Sequence, residues 1–283
     1  MNNQQYSPRG FSVLPPVVKN LLIINGLVFL AQFMFLQVFK IDLVDYLGMH
    51  YFGSAKFNPA QLVTYMFLHS TSDFSHILFN MFALWMFGYM LENIWGSKRF
   101  LIYYMVTGIG AAIVHMIVMH IGMMGLQSEV AMIMSDPTPS AFFSFVNEHF
   151  PLYQNSLSEF YNTWSMNPKN PELINQASNY LNELVEIRKD IPTVGASGAV
   201  FGILLAFGML FPNTLIYIYF LFPIKTKWFV LIYGGLELFQ GIRNSAGDNV
   251  AHFAHLGGMI FGFFLILYWN RKIHRSNRWD QNI

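Results

Sequence analysis

Cysteine is missing from this chain, and charge is scarce. Without cysteine there is no disulfide, no thiolate metal site and no cysteine nucleophile. Only 11% of the 283 residues are charged, against roughly 25% in soluble domains, while 54% are hydrophobic. Most of the chain therefore cannot face water. The net charge of +1 leaves no electrostatic footprint for nucleic acid or for an acidic partner. What remains is a single membrane domain, set in a lipid bilayer and carrying one polar insertion.

A membrane helix needs roughly 20 mainly apolar residues. Six stretches come close: Val17–Phe39, His76–Trp95, Phe100–Met124, Ala196–Phe211, Trp228–Gly241 and Val250–Trp269. The fourth and fifth are short for a full crossing, which predicts helices that stop below one surface and leave a watery depression. The first has no small-residue cleavage site and reads as an uncleaved anchor. Charge sets the orientation. With both termini cytoplasmic, the inner segments hold Arg9, Lys19, Lys98, Arg99, Lys225, Lys227, Arg271, Lys272, Arg275 and Arg278, and the outer loops take most of the acids. The expected fold is all-α, a polytopic six-transmembrane-helix bundle. Residues 1–16 form a cytoplasmic N-terminal tail, 17–269 the membrane domain and 270–283 a basic cytoplasmic C-terminal tail.

Residues 127–190 interrupt that domain between the third and fourth spans as a polar, helical, extracytoplasmic insertion. Within it, Pro171 follows Asn170 at the place of a first helical residue. Leu173, Ile174, Ala177, Tyr180, Leu181, Leu184 and Val185 then recur at helical spacing, which predicts an amphipathic helix. Phe142, Phe143, Phe145 and Phe150 are either its packing counterpart or a set of rings dipping into the outer leaflet.

Polar side chains inside apolar spans are costly, so each is a functional candidate. His76 and Asn80 share a face of the second span, Ser197 opens the fourth, and His252 and His255 open the sixth. The alternating topology brings His76, Ser197 and His255 to one depth near the outer surface. A serine hydroxyl becomes a nucleophile when a base such as histidine takes its proton, and a helix N-terminus offers free N–H groups to an oxyanion. The bland reading stands beside this one: Gly198-x-x-x-Gly202 and Gly258-x-x-x-Gly262 are small-residue patterns that let membrane helices touch, and Ser197 suits such packing. A metal bound by His69, His76, His252 and His255 is disfavoured, because no acidic or thiolate companion is expected at that depth. Glu237, alone in the fifth span, reads as a structural hydrogen-bonder or interface residue.

Taken together, 195-GASG-198, 76-HILFN-80 and 255-HLGGMIFG-262 resemble the rhomboid intramembrane serine proteases. The resemblance implies a serine–histidine dyad without an aspartate to complete a triad. Ser197 matches the nucleophile, and His255 the base, because Gly258 and Gly262 follow it three and seven residues later. His76 and Asn80 match the residues that help bind the oxyanion. Phe201 matches an aromatic position against which the histidine ring packs, Gly195 and Gly198 flank the nucleophile, and His252 is a polar neighbour one turn nearer the surface. The sequence departs from the family in its first loop, where Ala60 and Gln61 replace a tryptophan–arginine pair.

The implied activity is that of a serine endopeptidase cleaving transmembrane protein substrates near the outer membrane boundary through an acyl-enzyme, without metal or organic cofactor. The layout and the resemblance point to a bacterial cytoplasmic membrane. Two other classes have specific signatures. An inactive relative that binds membrane segments should lack the serine or the histidine, and both are here. A small transporter should carry polar groups at several depths, whereas these gather near one surface.

Overall fold

The computed structural model describes residues 11–218, 221–243 and 251–279, the last helix with side chains to Asn270. Arg9 and most of the N-terminal tail, the first residue of the expected sixth span, and residues 280–283 lie outside the described residues. Among the described residues, four helices are long and apolar enough to cross a membrane: Pro16–Phe39, Phe74–Trp95, Ser97–Ser135 and His252–Asn270. Large apolar side chains such as Leu27, Phe79, Ile121, Leu231 and Phe264 are exposed on the helices, an arrangement that suits lipid rather than water.

Helix α1 (Pro16–Met34) ends in a π-helical turn, Phe35–Phe39, and Lys40 closes it in a left-handed conformation. Its N-terminus is capped from a distance. Glu92 accepts hydrogen bonds from the Val17 and Val18 N–H groups at 2.9 and 2.8 Å, and from the Ser97 hydroxyl at 2.6 Å. The loop that follows contains two short helices, α2 (Leu43–Leu47) and α3 (Gln61–Thr64), and a 3₁₀ turn, Tyr65–Phe67. Gln61, one of the two departures from the family pattern, is buried and pins this loop. Its oxygen accepts from the His50 and Asn58 N–H groups, and its amide nitrogen donates to the Tyr46 and Lys56 carbonyls.

Helix α4 (Phe74–Trp95) is capped by Asp73, and α5 (Ser97–Ser135) follows directly. At 1.5 Å per residue its 39 residues span about 58 Å, roughly twice a hydrocarbon core. One unbroken helix therefore carries the chain out of the membrane domain, with no break at residue 127. Helices α6 (Pro139–His149), α7 (Gln154–Met166) and α8 (Pro171–Lys189) fold back on the C-terminal end of α5. The expected amphipathic helix is α8, with Asn170 accepting from the Glu172 N–H at 2.9 Å as its cap. Leu181 and Leu184 are buried with Phe142, Phe145, Phe150 and Trp164 in a second hydrophobic core, separate from that of the bundle. Phe143 instead stacks on Tyr161, with centroids 4.4 Å apart.

Helix α9 (Ser197–Leu210) is buried along most of its length, against α4, α5, α10 (Thr226–Arg243) and α11 (His252–Trp279). Its 14 residues rise only about 21 Å, short of a hydrocarbon core about 30 Å thick. One feature was not foreseen in an all-α reading: an antiparallel hairpin, β1 (Leu215–Ile218) with β2 (Phe222–Lys225), joins α9 to α10. The backbone of α11 also runs on to Trp279, ten residues past the expected end of the sixth span.

Candidate active site

Ser197 is the first residue of α9, where helical N–H groups have no intrahelical acceptor and the dipole is positive. The approach to it is held at several points. The Gly195 N–H donates to the Tyr65 carbonyl at 3.0 Å, Thr193 and Met49 exchange backbone hydrogen bonds at 2.9 Å, and the Thr193 hydroxyl pairs with His115 Nε2 at 3.0 Å. Gly195 has φ +134°, a conformation that L side chains rarely adopt. A β-carbon there would also lie 3.0 Å from His76 Nε2 and 3.5 Å from Ser197 Oγ. Glycine thus opens the space between the hydroxyl and the second-span histidine.

His255 Nε2 lies 2.8 Å from Ser197 Oγ. Helices α9 and α11 come close enough for this because glycines face each other: a β-carbon on Gly258 would fall on the carbonyl oxygen of Gly198. Gly262, one turn on, leaves room for the Tyr103 hydroxyl, which donates to the Gly202 carbonyl at 2.9 Å. The His255 ring stacks on Phe201, with centroids 4.1 Å apart and planes within 6°. Tyr233 of α10 covers the far face of that contact, 5.0 Å from Phe201.

His76 is half-buried, and its Nδ1 accepts from the Ser70 N–H at 3.3 Å. In the neutral ring that leaves Nε2–H as a donor on the side of Gly195 and Ser197. Asn80 is buried, but its amide donates to the His76 carbonyl at 2.8 Å, within its own helix, rather than toward the serine. The structure therefore gathers Ser197, His255, His76 and Phe201, while Asn80 stands just behind His76.

Helix α10 corrects one expectation. An acidic companion does lie at this depth: Glu237 is buried on α10, its Oε2 2.8 Å from His255 Nδ1 and 2.7 Å from His252 Nδ1. Linear spacing gave no sign of it, because residues 237, 252 and 255 meet only when α10 packs on α11. The signal was the lone carboxylate itself, in a segment where carboxylates are rare. These three residues are the buried set in which a divalent cation could be held, and Glu129, Glu148 and His149 form a more exposed one in the insertion. In the first set, separations below 3 Å between nitrogen and oxygen are those of direct hydrogen bonds. Polar residues of α5, which no motif marks, also take part: His115 braces Thr193, and His120 Nδ1 pairs with the Tyr51 hydroxyl at 2.7 Å.

The fold and this site define a polytopic membrane protein in which a short, buried helix presents a serine to a histidine inside the bundle. A rhomboid domain matches residues 56–132 and 173–272, more than half of the chain, and the chain belongs to the rhomboid family. The match skips residues 133–172, which include α6 and α7. No curated protein matches the chain significantly. Membership carries an intramembrane protease-like function in a family that also has inactive members.

Proposed function

We propose that this chain is an active intramembrane serine endopeptidase, with Ser197 as nucleophile and His255 as general base. The 2.8 Å contact between Ser197 Oγ and His255 Nε2 carries the reading, since an inactive relative has no need of a hydroxyl aligned on an imidazole. Six spans, counting α9 and α10, place both termini in the cytoplasm and the dyad near the outer face of a bacterial cytoplasmic membrane. Residues 17–269 are then the membrane domain, with 127–190 outside and the two tails inside.

A transmembrane substrate has its carbonyls tied up in helical hydrogen bonds, so it must unwind locally before attack. Ser197 Oγ bonds to the scissile carbonyl carbon as His255 Nε2 takes its proton. The oxyanion is met by His76 Nε2–H and the N–H groups at the start of α9, and Asn80 joins by turning its amide off the His76 carbonyl. His255 then protonates the leaving amine, and a water activated by the same nitrogen hydrolyses the acyl-enzyme. No step calls on a metal or an organic cofactor.

A fluorophosphonate probe should label the wild type and not Ser197→Ala, and Ser197→Ala should lose cleavage of a transmembrane reporter while keeping its fold. Cleavage by that variant at the wild-type rate would refute the nucleophile. His255→Ala should abolish turnover, whereas His252→Ala should only weaken it; the reverse order would transfer the base to His252.

A further inference from the structure

Two buried ionisable groups beside the dyad, Glu237 and His252, take no part in the steps above. Glu237 lies on the side of His255 opposite Ser197, and a single carboxylate oxygen reaches both His255 and His252. In its ionised form that oxygen can only accept, so each histidine must present a proton on Nδ1. For His255 this has a direct consequence. A neutral imidazole carries one proton, and with Nδ1–H given to Glu237 the lone pair is left on Nε2, facing the Ser197 hydroxyl 2.8 Å away. The opposite tautomer would turn an N–H toward the serine and could not take its proton.

Other contacts hold the ring in the plane this needs. Phe201 stacks on one face within 6° of parallel, and Tyr233 backs Phe201. Tyr233 and Glu237 are four residues apart on α10 and so share a helix face. One helix outside the dyad thus supports its base in two ways, by packing and by charge.

Resting on the reading of Ser197 and His255 as the reacting pair, we propose that Glu237 is a positioning residue: it completes a Ser197–His255–Glu237 relay, sets the tautomer of His255 and steadies the imidazolium formed during attack. His252 shares the same oxygen and holds the carboxylate in place on its other side. The resemblance implies a dyad with no aspartate to complete a triad, and here a glutamate from a different helix takes that third place.

Replacement by the near-isosteric Glu237→Gln keeps the volume and removes the charge. It should lower kcat about a hundredfold on a transmembrane reporter peptide, with KM within about twofold of wild type. Glu237→Asp, which restores a carboxylate, should recover a large part of that loss. A kcat unchanged in Glu237→Gln, or a loss confined to KM and melting temperature, would overturn the proposal. A second measurement needs no variant at the acid. In protein labelled with ¹⁵N-histidine, the neutral His255 ring, assigned by its disappearance in His255→Ala, should show the Nδ1–H tautomer; an Nε2–H signal would overturn the proposal. The dyad is judged separately, since probe labelling that depends on Ser197 tests it whatever Glu237 does.

Discussion

Between Gly125 and Gly195 the chain has no glycine, whereas the contact that brings Ser197 to His255 is built on glycines. The two regions are held by different physics. Outside the bundle, α6, α7 and α8 are amphipathic and sink Trp164, Phe142 and Phe145 into a common core with the C-terminal end of α5. Water supplies the driving force there, because each large side chain removed from it stabilises the fold. Within the membrane domain, lipid solvates an apolar side chain as well as a neighbouring helix does. Association then depends on close packing and internal hydrogen bonds, and these need small residues where backbones touch. Gly198 against Gly258, and the Tyr65 hydroxyl donating to the Gly108 carbonyl at 2.7 Å, are both of this kind.

That division can be broken from either side. Trp164→Ala empties the largest fully buried position of the insertion, and about 4 kcal/mol of local stability should be lost. Limited proteolysis should open residues 139–189, while probe labelling of Ser197 persists. Loss of both together would show that the two cores form one unit.

Gly258→Ala acts on the other region. Its methyl meets backbone rather than a flexible side chain, so about 3 kcal/mol should be lost. Labelling should fall with it, and the protease sensitivity of the insertion should stay unchanged.

Acid should act on the junction between α3 and α4. Burial pushes His69 down to about 3, with the neighbouring His76 adding to the shift. Its folded value lies below its unfolded one, so the neutral ring is the stabilising form. Melting temperature should drop as pH falls below about 6.5 and continue falling toward 3. The exposed Asp73, held low by its hydrogen bonds from Ser75, adds a smaller loss below the usual carboxylate range. His69→Gln should flatten the upper part of that curve, and a curve that kept its shape would assign the titration elsewhere.

Two surface substitutions calibrate the contrast. Asn170→Ala removes the cap of α8 and should cost about 1 kcal/mol, read in the insertion alone. Gly122→Ala, in a part of α5 with nothing within 4 Å of the new methyl, should raise stability by about 0.5 kcal/mol. A large loss there would mean that α5 is covered at this point in the membrane.

The motif residues were legible because their chemistry is local. A serine between glycines, a histidine four residues before an asparagine, and a histidine followed by two spaced glycines each fit within one helical turn or two, and they point to a site only when taken together. The cap at Asn170 was legible for the same reason. Gln61 departs from the family's paired residues, yet it bonds four backbone groups of its own loop, at Tyr46, His50, Lys56 and Asn58. The hairpin of β1 and β2 was hidden because its residues fall in the connection between the expected fourth and fifth spans, where apolar character alone does not say how the backbone pairs. The continuous α5 was hidden because its polarity changes while its helical backbone does not.

Composition was enough, by itself, to decide that the chain lives in lipid, and the resemblance of three motifs taken together named a hydroxyl and an imidazole to watch. Periodicity within one segment reports which face is greasy, and cost in a bilayer reports which side chains are out of place. Whether those side chains meet is a different kind of fact. Glu237 behind His255 came only from α10 lying against α11, since the short range of a hydrogen bond makes partnership depend on helix packing, to which distance along the chain is no guide.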